Sequence, residues 1–152
     1  MLLLSTIHGS RLYGLSHSGS DDDSFEVYSG KFKTVHRQRG KDDTVRMSLD
    51  QFLTLAGRGS HQSLEAMWST KADVDNMPWR FDFSPSPRDV EDRYTRTIKR
   101  FSLDPSYKKQ RHAWRLKFNL TDYLSTGRFD PTLDSEQIEH LEWLVQRQVR
   151  PF

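Results

Sequence analysis

The chain has 152 residues, a formal net charge of +2 and 29% charged side chains; that length holds one domain or a small core with an appendage, and so small a charge names no partner by itself. There is no cysteine, which excludes disulfides and thiolate metal sites and fits an intracellular protein. Leu2-Leu3-Leu4 is too short for a signal-peptide core or a membrane span, so no membrane association is expected.

Residues 2–7 are a continuous apolar run and read as a central, buried first strand. Gly9-Ser10 follows, and Ser10 to Leu15 reads as a short helix. His17-Ser18-Gly19-Ser20 is a loop signal. From Asp21 to Tyr28 the pattern is that of a second strand, whose alternation sets Asp21 and Asp23 on one face and Asp22 on the other. The polar, basic stretch from Gly30 to Lys41 reads as a loop or hairpin, and Asp43 to Met47 as a third strand with Asp43, Val45 and Met47 on one face.

Ser48-Leu49-Asp50-Gln51 is a capping-box pattern, and Leu49, Phe52, Leu53 and Ala56 then recur at helical spacing until Gly57 and Gly59. A short helix is expected to carry Leu64, Met67 and Trp68. Residues 73–87, with three prolines, read as a linker or surface loop between a core over 1–72 and a helical region over 88–152. In that region Val90, Tyr94, Ile98 and Phe101 form one stripe. Asp104-Pro105 then reads as N-cap and first turn of a helix ending at Gly127. The last helix is expected from Asp134 to Val149, with Ile138, Leu141, Val145 and Val149 inward. Charge is concentrated in the middle: residues 88–128 hold eleven Lys and Arg against five Asp and Glu. That segment could attract a triphosphate or a nucleic acid, and a solvated helix surface is the competing explanation.

The chemistry converges on the first of these elements. Two carboxylates on one strand face repel each other unless a cation sits between them, and hard divalent cations prefer carboxylate oxygen. Gly9 lets a backbone approach phosphate closely, Ser10 offers a hydroxyl, and Arg11 adds charge. A Gly-Ser turn beside a carboxylate pair suggests a nucleoside triphosphate and phosphoryl-type transfer. Lys108, His112 and Arg115 share a helix face at i, i+4, i+7 spacing and form a second candidate contact for a triphosphate or an acceptor.

The stretch Gly9-Ser10-Arg11-Leu12-Tyr13-Gly14-Leu15 followed by Ser20-Asp21-Asp22-Asp23 resembles the DNA polymerase beta-like nucleotidyltransferase superfamily. It is closest to the predicted nucleotidyltransferases associated with RNA repair operons, which also occur in phages. The run from Asp43 through Leu49 to Phe52-Leu53 is similar to that family's third carboxylate strand and following helix, and Gly59 to Glu65 to its G-N-P-x-x-L-E element with the Asn-Pro replaced. Lys108 to Gly127 echoes a family helix, with His112 and Arg115 in register.

The resemblance implies an α+β fold: a small nucleotidyltransferase core of short mixed sheet and flanking helices, with a C-terminal helical extension. It implies Asp21, Asp23 and Asp43 as catalytic metal ligands for Mg²⁺, with Mn²⁺ as the alternative ion. Asp43 would also help to deprotonate the acceptor hydroxyl. Gly9, Ser10, Arg11, Lys108, His112 and Arg115 would bind the nucleotide. The implied reaction moves a nucleoside monophosphate to a hydroxyl of an RNA end, a protein or a small molecule, releasing pyrophosphate in the cytoplasm (the host's, if the chain is phage-encoded). A catalytically inactive nucleotide-binding or RNA-binding module is the alternative.

Overall fold

A computed structural model describes residues 1–17 and 19–152; Ser18, inside the loop expected over 17–20, lies outside the described residues. The fold is α+β, with a five-stranded mixed sheet and six α-helices among the described residues. The strands are β1 (Leu2–His8), β2 (Asp22–Tyr28), β3 (Val35–Arg39), β4 (Asp42–Ser48) and β5 (Ala72–Asp75), in the spatial order β3-β4-β2-β1-β5. β1 runs antiparallel to both β2 and β5, β2 runs parallel to β4, and β3 runs antiparallel to β4. The basic stretch after Gly30 is therefore a hairpin arm: β3 is the exposed sheet edge, and the chain turns back at Gly40 to insert β4 between β3 and β2.

The helices are α1 (Gly9–Tyr13), α2 (Leu49–Gly57), α3 (His61–Met67), α4 (Pro87–Ser102), α5 (Tyr107–Thr126) and α6 (Ser135–Gln146). The Ser48 hydroxyl accepts from the Gln51 amide and starts α2 as its capping pattern predicts. At α5 the expected cap is corrected. Ser106, not Asp104, is the N-cap; the Asp104 carboxylate instead accepts the Ser106 amide, so the Asp-Pro pair makes the turn that precedes the helix. At α6, Asp134 and Gln137 form a reciprocal capping box, but the helix stops at Gln146 and Val149 is exposed rather than inward.

Residues 73–87 do more than link. β5 adds the far edge strand to β1, and a single 3₁₀ turn over Arg80–Asp82 follows. Arg80 is 3% exposed; its guanidinium pairs with Asp75 at 3.1 Å and donates to the carbonyls of Met67 and Ser69 at 3.0 and 2.6 Å. A buried charge held by three partners ties this segment to α3 and the sheet.

One hydrophobic cluster runs from Leu4, Phe25 and Val27 on the sheet through Phe52 and Trp68 to Tyr94, Ile98, Leu116 and Phe129. The C-terminal helices thus share the sheet's own core. A second cluster packs Leu12, Tyr13 and Leu15 against Leu133, Leu141 and Val145. Hydrogen bonds from the Thr132 hydroxyl to the Leu12 carbonyl (2.7 Å) and from the Leu133 amide to the Tyr13 carbonyl (3.1 Å) fix α1 to the segment before α6. No helix among the described residues is long and apolar enough to cross a membrane.

Candidate functional site

The core-facing rows of the sheet end in carboxylates. On β2 the buried Phe25 and Val27 continue the row that Asp23 begins, and on β4 Val45 and Met47 continue the row of Asp43. The parallel register sets Asp23 directly opposite Asp43, and Asp22 opposite Asp42 on the other face. Asp43, and not its neighbour Asp42, therefore shares a face with Asp23. Asp21 lies one residue before β2 rather than within it, and its side chain reaches the same region.

Gly9 and Asp23 are packed together. Gly9 has φ +63°, and a Cβ built there would lie 2.1 Å from Asp23 Oδ2. Only glycine combines this backbone conformation with that approach. The Asp23 carboxyl is raised above its usual pKa by burial first, then by the charges of Asp43 and Asp21, with Lys108 opposing. Its Oδ1 is buried without a hydrogen-bond partner among the described residues.

A cavity of about 350 Å³ opens beside this pair. Gly9, Ser10 and Tyr13 of the first turn line it, with Asp21, Asp23 and, from the N-terminal turns of α5, Lys108 and His112. Four sequence-expected site residues from the first motif and two from the distant helix thus meet in one place. Tyr107 and Arg111 line it as well and were not among the expected residues. Both contact Glu142 of α6, Arg111 at 2.9 Å. Their signal in the sequence is the helical adjacency of 107, 108, 111 and 112 at the start of α5.

Two expectations are corrected. Arg115 does not reach the cavity wall: it is 1% exposed, and its Nη1 lies 2.6 Å from Oε1 of Glu65, itself fully buried. Seven residues along a helix from Lys108 is about 10 Å, which carries Arg115 past the cavity to the buried Glu65 of α3. Its guanidinium stacks 3.6 Å from the centroid of the Tyr13 ring, whose hydroxyl donates to Glu65 at 2.6 Å. Arg11 is turned away too, pairing with Asp22 at 2.5 Å and donating to the Ser20 carbonyl.

Glu65, singled out in the sequence by resemblance alone, is the hub behind the cavity. Burial pushes its carboxyl up, but Arg115, then His61 and His8, overcome this and hold it at about 2. His112 links hub and cavity: its Nδ1 accepts from Arg115 at 3.2 Å, and burial with the Arg115 charge lowers its pKa to about 3, so it stands neutral at neutral pH.

The donor chemistry fits a hard divalent cation: three carboxylates at one sheet end, one with an orphaned buried oxygen and a pKa raised by burial and by the other two. The carboxylates are not already closed around a common point, since no three ligating side chains among the described residues form such a group. Asp43 is also hydrogen-bonded to His36 of β3. No protein-family model matches the chain, and no curated protein matches it either.

Proposed function

We propose that the protein is a divalent-metal-dependent nucleotidyltransferase of the polymerase beta-like type. The observation that carries this reading is the shared cavity, in which the Gly9-Ser10 turn, Asp21 and Asp23 face Lys108 and His112, with Asp43 in register beside Asp23.

Asp21, Asp23 and Asp43 are the residues that would hold Mg²⁺ or Mn²⁺, which supplies Lewis-acid stabilisation of charge on the transferring phosphoryl group. Gly9 and Ser10 receive the triphosphate, the glycine by leaving room for close backbone approach and the serine by donating its hydroxyl. Lys108 offers a positive charge to the leaving pyrophosphate. His112, kept neutral and with Nδ1 accepting from Arg115, has its Nε2–H left to donate a hydrogen bond without adding charge. The acceptor oxygen bonds to the α-phosphorus, the bond from that phosphorus to the bridging oxygen of pyrophosphate breaks, and the acceptor proton passes to the Asp43 carboxylate. The Asp43–His36 contact favours a second reading, a nucleotide-binding module without turnover.

The deciding experiment is transfer from α-³²P-labelled nucleoside triphosphates with Mg²⁺ or Mn²⁺ to RNA, protein and small hydroxyl acceptors. An Asp21→Ala/Asp23→Ala variant is the control. Label that requires both carboxylates is expected. Triphosphate binding without transfer under any combination would leave the binding module.

A further inference from the structure

A second concave surface lies away from the carboxylate cavity. Arg58, at the C-terminal end of α2, faces Arg93, Arg96 and Arg100 of α4 across a groove of about 650 Å³. The three α4 arginines follow i, i+3, i+7 spacing and so form one stripe. None of the four has a carboxylate within 4.0 Å among the described residues, whereas Arg11, Arg46, Arg80, Arg111 and Arg115 do. Asp89 and Asp92 are also in the groove, four residues before Arg93 and Arg96, the spacing at which helical ion pairs ordinarily close. Here they stay open, and among the described residues the Arg96 side chain donates only to the Asp92 main-chain carbonyl.

The stripe leads toward the cavity. At its end, Arg100 lies 5.5 Å from the centroid of the Phe101 ring, and Lys109 Nζ lies 4.9 Å from the same ring. Phe101 in turn packs 5.8 Å from the His112 ring, and His112 lines the cavity. Unpaired guanidinium groups in a groove, followed by an aromatic ring between cations, suit the phosphates and bases of a single strand.

We infer that the groove between α2 and α4 binds a single-stranded nucleic acid through its phosphates, with Arg58, Arg93, Arg96 and Arg100 as the contacts and Phe101 as a stacking platform toward the cavity. Binding stands on the groove alone. That the strand is the acceptor, with its terminal hydroxyl delivered past His112, rests on the nucleotidyltransferase reading.

The test is fluorescence anisotropy of a short fluorescein-labelled single-stranded RNA, and of DNA of the same sequence, titrated across a salt series. The variant is Arg58→Gln/Arg96→Gln/Arg100→Gln, three exposed positions. The control, Lys31→Gln/Lys33→Gln/Arg37→Gln, removes equal charge from the exposed segment around β3. The groove variant is expected to lose at least about tenfold in affinity and about two from the log–log salt slope, at roughly 0.7 per phosphate on single strands. The control keeps most of the affinity. Binding of RNA, DNA or both through these arginines supports the inference. No strand binding by the wild type, an unaffected groove variant, or equal losses in both variants would overturn it, as would label transfer to protein without strand binding. Strand binding without any nucleotide transfer would fail the catalytic reading and leave the groove standing.

Discussion

Replacing Gly9 by alanine probes whether the close approach to Asp23 matters to chemistry or only to folding. The added Cβ would meet Asp23 Oδ2 at 2.1 Å, where ordinary contact begins at 3.4 Å, so the carboxylate must retreat by about 1.3 Å. Alanine at φ +63° also bears the left-handed strain of about 1–2 kcal/mol. Gly14→Ala separates the two effects. It has φ +83° and carries similar strain, but its Cβ comes no nearer than 3.4 Å to Ile138 Cδ1. Both variants should therefore lose about 1–2 kcal/mol in urea denaturation. Displacing a reacting group by about 1 Å costs on the order of a hundredfold in rate, so Gly9→Ala alone should lose transfer activity to that degree. The assay is transfer from the α-labelled triphosphate, with unfolding curves on the same preparations. Turnover of Gly9→Ala within about threefold of Gly14→Ala would refute the placement of Asp23 in the reacting centre.

Three further outcomes are expected. Glu65→Gln leaves the Arg115 guanidinium buried without a counter-charge and should cost about 3–5 kcal/mol; adding Arg115→Met should recover much of it, and additive losses in a double-mutant cycle would contradict the hub. The folded-state pKa values of His61 and His112 are lowered from 6.5 to about 4 and about 3, chiefly by burial, so the unfolded chain binds more protons in that window. Stability from this source is complete above pH 6.5 and is lost as pH falls toward 4 and then 3; Glu65, at about 2 against 4.5, extends the loss in the same direction. Thermal unfolding across that range should show a falling midpoint that His61→Gln/His112→Gln flattens, and a midpoint rising toward acid would be the opposite sign. Lys108→Ala should weaken triphosphate binding about tenfold or more, the worth of a charge-assisted contact, with no change in melting temperature. Unchanged affinity in a fluorescent-triphosphate titration would remove Lys108 from the site.

Local chemistry determined much of this protein. The alternation of Asp23, Phe25 and Val27 and of Asp43, Val45 and Met47 placed carboxylates at the ends of buried rows, and Ser48 capped the helix that its pattern predicts. The Gly9-Ser10 turn and its carboxylates were legible for the same reason, since the relevant spacings are short. What depended on distance in the chain was decided only by tertiary packing. Alternation along β4 put Asp43 on the face of Val45 and Met47, but that this face sets Asp43 directly beside Asp23 was decided by the parallel pairing of β4 with β2, strands separated by β3 in the chain. Pairing with β1 made an edge strand of Ala72–Asp75, where prolines nearby read as a linker. Arg115 and Glu65 are fifty residues apart; Arg115 read as a nucleotide contact on the Lys108 face, and nothing near Glu65 in the chain pointed to its partner. The packing of Arg115 of α5 on Tyr13 of α1 and Glu65 of α3 buries both charges, and a buried charge is stable there only because the other is present.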